Sequence, residues 1–451
     1  MKGISLKDLN RIKKSDLFDS EWYLKTYPDV RMAGLDPAEH FLKYGRVLRR
    51  DPSPKFCSAF HLETRPGCDQ KKINPLIHYL TVKSAKTAQY HYVLWAAYNI
   101  ACKGQHDKAV NLARENLPKE LRHTLNILLA NKALREGNKE QWLEYLNSYL
   151  REFDIEPIKI EGDGHIISQF STSTLRKVSS DKKISVLMPA WNAEETIEYS
   201  VRSILNQTWI NIELLIVDDA SQDNTWEVLK RIAKTDSRVK IFKNKLNVGP
   251  YVSKNKALKE ATGYYVTGHD ADDWAHPQRF EKHMRLIDEN DQEILASLTY
   301  MVRVQPDGFF GHIGKVTGFS FDGVARKASI SCMFDRKVLQ NTLGYWDSVR
   351  FGADSEMIAR AKKTLGGAFA EFEQIGMICL DLETSLTNHS QHGVDKVKGV
   401  SPIRKKYRDS WMKWHEENLT KGSAFLDFPL KERRYSADRE MQVTYLESLK
   451  V

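Results

Sequence analysis

From Ile184 onward, short apolar runs alternate with segments whose apolar residues recur at the spacing of an α-helix. Apolar runs that are too short for helices predict buried strands. The predicted strands are Ile184–Pro189, Glu213–Val217, Val239–Phe242 and Tyr264–Thr267, and the predicted helices are Glu194–Gln207, Thr225–Ala233 and Val252–Ala261. This alternation indicates an α/β domain with a mostly parallel sheet covered on both faces, which binds its ligands at the carboxyl ends of the strands.

The N-terminal part has a different, helical pattern with an internal repeat. The segment 22–42 reappears 38 residues later, and each copy predicts a helix, a turn and a second helix. Asp36 and Asn74 precede a proline and are expected to be N-caps. His40 and His78 stand beside aromatic residues on helical faces. We expect core or interface histidines here rather than metal ligands, because no other ligand types are grouped with them.

A second repeat follows, with an offset of 33 residues that places Gly104 and Gly137 in equivalent positions. The spacing is similar to that of tetratricopeptide-type helical hairpins, which favours contact with a protein partner or with another domain. The predicted segments are a helical repeat region at 1–83, helical hairpins at 84–155, a turn-rich linker at 156–183, the α/β domain at 184–395 and a basic helical extension at 396–451.

Composition narrows the class of protein only slightly. The chain of 451 residues has a formal net charge of +9, of which residues 396–451 carry +5, from 13 Lys and Arg against 8 Asp and Glu. Such a tail is either a solvated basic face or a surface for lipid headgroups, an anionic glycan or a diphosphate. We expect no nucleic acid partner, because no nucleic-acid-binding motif accompanies the charge.

The five cysteines are scattered without metal-ligand spacing, which is typical of free thiols in a reducing cytosol. The chain contains no apolar run of about 18 residues, and its N-terminus lacks the apolar core of a secretory signal. We therefore expect a cytoplasmic protein, either free or peripheral at the inner face of the membrane.

The most informative motif follows the fourth predicted strand, where Asp270, Asp272 and Asp273 stand together. Carboxylates at this density repel one another unless a cation lies among them. Asp-x-Asp offers hard oxygen ligands suited to Mg²⁺ or Mn²⁺, which bridge protein carboxylates to substrate phosphates. The alternative is an acidic turn that caps the next helix, with Pro277 at the first helical position.

Three further motifs accompany this one, each at the end of a predicted element. In chain order the four are Pro189–Glu194, Asp218–Thr225, Asn247–Gly249 and Asp270–Asp273. In this order and spacing, over roughly 183–395, the chain resembles the family 2 glycosyltransferases. The resemblance implies the GT-A fold, here preceded by an α-helical repeat region. The N-terminal repeat is similar to segments attached to bacterial enzymes of surface-polysaccharide (capsule or lipopolysaccharide) assembly.

The resemblance also implies a donor site. Asp218 or Asp219 would accept the uracil N3–H. Trp191, which replaces the usual Tyr, either stacks on the base or belongs to the core, and Lys254 would hold phosphate as a point charge. The predicted donor-binding residues are Pro189, Ala190, Trp191, Asn192, Glu194, Asp218, Asp219, Asn247, Gly249, Lys254, Asp270, Ala271 and Arg360.

The same resemblance also implies which residues bind a metal ion and which residue is the catalytic base. Asp270 and Asp272 would bind Mn²⁺ or Mg²⁺, and His389 or His392 is a candidate third ligand unless these histidines belong to an exposed loop. Asp354 aligns with the catalytic base of the family, and Glu356 is the alternative base. Asp354 could instead serve as the N-cap of the following helix.

Three aromatic or apolar segments could serve the acceptor or the membrane. Trp346 is either a sugar platform or a core residue, and 329–334 is predicted as a strand under the acceptor site. The segment Trp411–His415 predicts an amphipathic helix that either lies at a membrane surface or packs back on the catalytic domain.

Together these features predict a metal-dependent inverting glycosyltransferase that moves a sugar from a UDP-sugar to a hydroxyl of a growing surface glycan. The acceptor would be a glycan or a lipid-linked glycan. A competing hypothesis is an inactive scaffold that recruits partners through its helical repeats. A nucleotidyltransferase is disfavoured, because the glycine-rich, Lys-bearing loop expected after the first strand is missing.

Overall fold

The chain divides into two compact units. The computed structural model describes residues 5–383, 385–386, 388, 391–395, 399–419 and 422–450. The first unit is Met1–Tyr149 with His312–Val324, and the second is Leu150–Gly311 with Ala325–Val451. Within the described ranges, no helix is both long and apolar enough to cross a membrane.

The first unit is helical. Its helices are α1 Leu6–Lys13, α2 Ser20–Thr26, α3 Pro28–Met32, α4 Pro37–Tyr44, α5 Ser58–Glu63, α6 Pro66–Gln70, α7 Pro75–Thr81, α8 Tyr90–Ala101, α9 His106–Asn116, α10 Leu125–Arg135 and α11 Lys139–Leu150. Each copy of the 38-residue repeat has three helices instead of the predicted two, because Pro28 and Pro66 each begin a short middle helix. The N-caps are confirmed: Asp36 accepts from the Glu39 amide, and Asn74 from two amides of α7.

The hairpins α8–α9 and α10–α11 follow the second repeat. Gly104 and Gly137 have φ values of 82° and 73°, so each sits after its helix in a left-handed conformation that suits glycine. The segment His312–Val324 belongs to this unit and is held by side chains of the hairpins. Tyr149 donates a hydrogen bond of 2.8 Å to Asp322 in this segment.

The second unit is built on a large sheet. Its strands are β1 Ile158–Ile160, β2 Phe170–Thr172, β3 Ile184–Ala190, β4 Ile212–Asp218, β5 Val239–Lys243, β6 Tyr265–Gly268, β7 Trp274–Ala275, β8 Ala296–Val304, β9 Arg326–Lys327, β10 Met333–Asp335, β11 Phe369–Leu380, β12 Val394–Asp395 and β13 Gly399–Val400. Its helices are α12 Ile197–Leu205, α13 Thr225–Thr235, α14 Pro250–Glu260, α15 Arg279–Asp288, α16 Arg336–Val338, α17 Ala353–Leu365, α18 Pro402–Asn418 and α19 Tyr445–Ser448.

The strand order in the main sheet is β5-β4-β3-β6-β10-β8-β11-β7, with β9 beside β8. The first four strands are parallel, β10 is antiparallel to both neighbours, and β11 is parallel to β8. The predicted α/β class with a mostly parallel core is confirmed. The predicted strand at 329–334 is wrong in its first half, because Ser329–Ser331 form a 3₁₀ turn and pairing begins only at Met333.

Both faces of the parallel strands β3, β4 and β6 are buried, whereas β5 at the edge of the sheet is only partly buried. Val186 and Met188 face a core shared with α12, α13 and α15, whereas Leu187 faces one shared with α14, α17 and α18. Trp411 of α18 is buried in this second core. The C-terminal helix therefore packs back on the sheet, as one of its two predicted alternatives proposed.

Candidate active site

The ends of the parallel strands bring the predicted motifs together. Ala190 at the end of β3 pairs with Asp218 at the end of β4, and the Asp219 amide donates to the Ala190 carbonyl at 2.8 Å. The His269 amide donates to the Leu187 carbonyl at 3.0 Å, which places the acidic loop beside the same edge. Because parallel strands end at one side of the sheet, motifs that are distant in the sequence become neighbours.

The acidic loop between β6 and β7 is held by its neighbours through backbone groups. The side chains of Ser200 and Tyr199, both on α12, donate to the carbonyls of Asp270 and Asp272 at 2.9 Å each. Asp273 accepts from the backbone amide of Leu380 on β11 at 3.0 Å. Asp273 therefore fixes the loop, while the side chains of Asp270 and Asp272 receive no hydrogen bond from another side chain in the described part of the chain.

The loop is not the helix cap that served as the alternative, because α15 begins at Arg279 and Pro277 precedes it by two residues. Burial, followed by mutual repulsion, raises the pKa of Asp272 to about 6. Burial also raises the pKa of Asp270, and the charges of Lys254 and Arg303 partly offset that rise. The two carboxylates are partly exposed and have raised pKa values, and their oxygens fit a hard divalent cation.

Lys254 of α14 and Asp354 of α17 form an ion pair beside this loop. The Lys254 Nζ lies 3.2 Å and 3.4 Å from the two carboxylate oxygens of Asp354. Lys254 and Asp354, with Trp346 and Ile330, line one small cleft. Asp354 does not cap its helix, because Gly352 occupies the N-cap position with φ 93°. Asp354, the predicted catalytic base, thus lies at a cleft with its carboxylate next to the Lys254 ammonium.

Glu356 and Arg360 lie on the same helix but are fully buried, with no exposure of either side chain. The Glu356 carboxylate accepts from Arg360 at 2.9 Å and 3.1 Å and from His415 at 2.9 Å. Arg360 also donates to the carbonyls of Leu343, Tyr345 and Ala424. The predictions that Glu356 is an alternative base and that Arg360 binds the donor are therefore wrong, because both are saturated inside the protein.

Asp218 and Asp219 are the two candidates for binding the nucleotide base, and the oxygens of Asp219 already accept hydrogen bonds from within the protein. It accepts from the amides of Gly249 at 2.7 Å and Val248 at 3.0 Å, and from the Asn244 side chain at 2.8 Å. Burial still raises the pKa of Asp219. Asp218 has one oxygen 3.6 Å from the Lys243 ammonium and is the less constrained of the pair.

Hydrogen bonds connect the loop after β3 with the loop after β4. Asn192 accepts from the Gln222 amide, Glu194 accepts from the Asn224 amide, and the Ala193 amide donates to Thr225. This network fixes the shape of the β3 loop. It leaves the Trp191 side chain 56% exposed, so that its predicted core alternative is wrong.

The predicted histidine ligands have different outcomes. His389 lies outside the described residues. The ring of His392 stacks on Phe351 with centroids 5.2 Å apart, and its Nε2 lies 3.7 Å from Glu440. Arg404 of α18 packs over the Phe351 ring and donates a hydrogen bond to the His392 carbonyl. A metal role for either histidine stays a prediction.

Of the other predicted donor residues, Asn247 is engaged by Arg350, which donates to its carbonyl and side-chain oxygens at 3.2 Å each. Gly249 has φ 83°, and a Cβ there would lie 3.1 Å from the backbone of Arg350, so both conformation and space favour glycine. Trp346 is buried but borders the cleft, where its ring meets Phe334 edge-on.

Sequence patterns missed two arginines near the acidic loop. Arg279 is buried and donates to the Gly268 carbonyl at 2.8 Å. The charge of Arg303 on β8 partly offsets the rise that burial causes in the pKa values of the three aspartates. Burial lowers the pKa of Arg279 to about 10. Arg279 stands just after the acidic motif and could have been found as a compensating charge, but Arg303 is brought near only by sheet pairing.

Residues 185–338 match the family model described as Glycosyl transferase family 2. The chain is 42% identical over 118 residues to an uncharacterized glycosyltransferase of Haemophilus influenzae, which covers 26% of this chain and 36% of the relative. It is 38% identical over 104 residues, 23% of this chain and 41% of the relative, to TuaG of Bacillus subtilis, a candidate teichuronic acid biosynthesis glycosyltransferase.

The chain spans less than half the length of each of these relatives. A crystal structure of S. aureus TarS with UDP-GlcNAc is similar at 20% identity and a TM-score of 0.38, over 45% of this chain and 60% of that one. The family match coincides with the strands and loops that hold the predicted motifs, and the resemblance drawn from those motifs is confirmed. Residues 185–338 of this chain are a glycosyltransferase family 2 domain.

Proposed function

We propose that the chain is a metal-dependent inverting glycosyltransferase that moves a sugar from a nucleotide-diphosphate donor to a hydroxyl group of a bacterial surface glycan. The observation that supports the proposal most strongly is that two groups of charged side chains lie close together at one edge of the sheet. Asp270 and Asp272 form the first, and Lys254 with Asp354 forms the second, close enough to influence the pKa of Asp270.

Asp270 and Asp272 would hold Mn²⁺ or Mg²⁺, which fits their hard oxygen donors and the rise in their pKa values. When bound, the ion neutralises charge on the diphosphate as the leaving group departs. Asp273, Ser200 and Tyr199 position the loop through the contacts described above, so that the two ligating carboxylates are oriented before the donor arrives.

Asp354 would take the proton of the acceptor hydroxyl as that oxygen attacks the anomeric carbon. A single displacement of this kind inverts the configuration. Lys254 holds the carboxylate of Asp354 before the donor binds, and the diphosphate would compete for the same ammonium. Donor binding is therefore expected to loosen the Lys254–Asp354 pair and to leave Asp354 available to the acceptor.

The nucleotide would lie at the ends of β3 and β4. Trp191 offers an exposed ring to the base. Asp218 is buried at the end of β4, and its Oδ2, which has no hydrogen-bond partner among the described residues, would accept an N–H of the base once the donor displaces the groups that cover it. Uracil is our preferred base, and its N3–H would donate to this carboxylate. The similarity to TuaG supports an anionic or surface polysaccharide acceptor.

The proposal is tested first by thermal melting of the protein with UDP, GDP, CDP or dTDP, each with Mn²⁺, Mg²⁺ or a chelator. Ligands that bind the folded state raise the Tm by mass action. A rise with UDP that requires the metal is expected. A rise with another nucleotide would replace the donor, and no rise with any of them would favour the inactive scaffold.

Asp272→Asn tests the metal assignment directly. The variant is expected to lose transfer from the UDP-sugar and to lose the metal-dependent part of the nucleotide-induced Tm shift. Its overall fold should persist, because Asp272 holds the loop through its backbone carbonyl rather than its side chain. Transfer at the wild-type rate would contradict the assignment.

A further inference from the structure

Three potential metal ligands meet in the second copy of the 38-residue repeat. His61 lies on α5, Cys68 on α6 and His78 on α7. Their ligand atoms all lie within 4.8 Å of one another, and Nε2 of His61 is 2.9 Å from Nδ1 of His78. The sequence prediction that His78 has no other ligand types beside it is therefore wrong, because folding brings Cys68 and His61 to it.

The first copy of the repeat has the same arrangement of three helices but lacks two of the three potential metal ligands. Tyr23 and Val30 occupy the positions equivalent to His61 and Cys68. Tyr23 donates or accepts a hydrogen bond of 2.9 Å with Nδ1 of His40, the equivalent of His78, and Val30 is fully buried. The frame thus packs well with an apolar residue and a phenol, so packing alone does not require a thiol and a second imidazole.

At both positions, the second copy has a residue that can bind a metal ion where the first copy has a poorer ligand or none. Val30→Cys and Tyr23→His are the changes that convert one copy into the other, and each introduces a soft or borderline ligand. Imidazole nitrogen and thiolate sulfur are the ligands that Zn²⁺ prefers, at about 2.0–2.3 Å. Around a tetrahedral ion such ligands lie about 3.3–3.7 Å apart, so small side-chain shifts suffice from the observed spacing.

We propose that the second repeat binds a Zn²⁺ ion through His61 Nε2, Cys68 Sγ and His78 Nδ1. His61 and Cys68 are buried, whereas His78 is partly exposed and gives the ion a path from solvent. The 2.9 Å contact between the imidazoles is the hydrogen bond of the metal-free pair, and the ion replaces it. A water molecule or another group completes the fourth position.

The site would join three very short helices. α5, α6 and α7 have 6, 5 and 7 residues, and helices of this length are not stable on their own. An ion that binds only the folded arrangement stabilises it by mass action. The ion would therefore stabilise this arrangement of helices, and this effect does not depend on the function proposed for the second unit.

The test measures zinc bound to the untagged full-length protein after zinc loading and gel filtration. We expect about one zinc ion per chain in the wild type, and the same in Asp270→Asn/Asp272→Asn, which removes the acidic loop as a source of zinc. Cys102→Ser, which alters an exposed cysteine outside the cluster, serves as the matched control and should retain the ion.

Cys68→Val and His61→Tyr install the residues of the first repeat, so both should fold, and both should lose the zinc and the zinc-induced rise in Tm. A second measurement needs no variant: Co²⁺ bound to the wild type should show a thiolate charge-transfer absorption band. Wild-type protein without stoichiometric zinc, or Cys68→Val with undiminished zinc, would overturn the proposal, as would bound Co²⁺ without that band.

Discussion

Helix α17 carries two carboxylates, two residues apart, in opposite situations. The side chain of Asp354 is 22% exposed, borders a cleft and contacts the ammonium of Lys254. Glu356 is fully buried, and both of its oxygens accept hydrogen bonds from Arg360 or His415. Helical position does not distinguish the two carboxylates. They differ because Asp354 shares one ammonium and borders a cleft, whereas Glu356 is saturated by Arg360 and His415 inside the core.

The same contrast separates the carboxylates at the strand ends. Asp219 and Asp273 accept hydrogen bonds from backbone amides of neighbouring segments and so determine loop shape. The side chains of Asp270 and Asp272 receive no hydrogen bond from another side chain of the described residues, and their pKa values are raised. Carboxylates in this situation are candidates for ligand binding, in agreement with the role proposed for them.

The comparison along α17 is tested most strongly by Asp354→Asn. The variant keeps the shape of the side chain but cannot take a proton, and we expect kcat to fall by about 10²–10⁴-fold. The Tm should change little, because the side chain is partly exposed. Steady-state kinetics with a UDP-sugar and a thermal melt measure the two effects. A large loss of Tm with unchanged kcat would assign Asp354 a structural role.

Glu356→Gln should have the opposite profile. Removing one charge leaves Arg360 buried and unpaired, and we expect the free energy of unfolding to fall by about 3–5 kcal/mol. Denaturant titration measures the change. The double variant Glu356→Gln/Arg360→Gln removes both charges, keeps polar side chains next to His415 and the three carbonyls, and should recover part of the loss. If the double variant were no more stable than the single one, the ion pair would not be the source of the effect.

Asp219→Ala tests the loop-bracing role. The amides of Val248 and Gly249 would lose their buried acceptor, and we expect a loss of about 2 kcal/mol in the free energy of unfolding. Hydrogen exchange should become faster at these amides. Trp191→Ala serves as the control in the neighbouring loop, where no such exchange effect is expected.

In the metal-free protein, the contribution of Asp272 to stability should become less favourable as the pH rises from about 4 to about 6. The pKa of Asp272 is raised to about 6 in the folded state, so this carboxyl binds more protons in the folded than in the unfolded chain in this window. The contribution is measured as the difference between wild type and Asp272→Asn in urea titrations with chelator, because burial lowers the pKa values of His276 and His283 and these histidines act in the opposite direction. Asp236→Asn is the control, because Arg238 lowers the pKa of Asp236 and the effect of this variant should appear only below about pH 4.

The smallest expected effect on stability belongs to Trp191→Ala. The ring is largely exposed, so the free energy of unfolding should change by less than about 0.5 kcal/mol. Loss of a stacking platform should instead weaken donor binding by about 1–3 kcal/mol, a figure measured for bases on aromatic side chains. A raised KM for the donor at nearly unchanged kcat would support this. Unchanged KM would remove Trp191 from the donor site.

Much of the second unit could be predicted from apolar patterns. The predicted bounds of β3, β4, β5 and β6 agree with the structure within one residue at each end. Short apolar runs fit the strands β3, β4 and β6, which are buried on both faces, whereas β5 is only partly buried. The later strands were not predicted in this way. β8 and β11 pair with partners that lie far away in the sequence, and the local pattern at 329–334 does not show where pairing begins.

Within the candidate site, the sequence determined which carboxylates stand at the ends of strands, because strand periodicity and chain order fix those positions. Only the tertiary structure decided which of them are already saturated, since Asp219 and Glu356 receive their donors from other segments. It also brought Cys68 close to His61 and His78. Hydrogen-bond partners and ligand clusters depend on distances across the fold, and local sequence does not encode those distances.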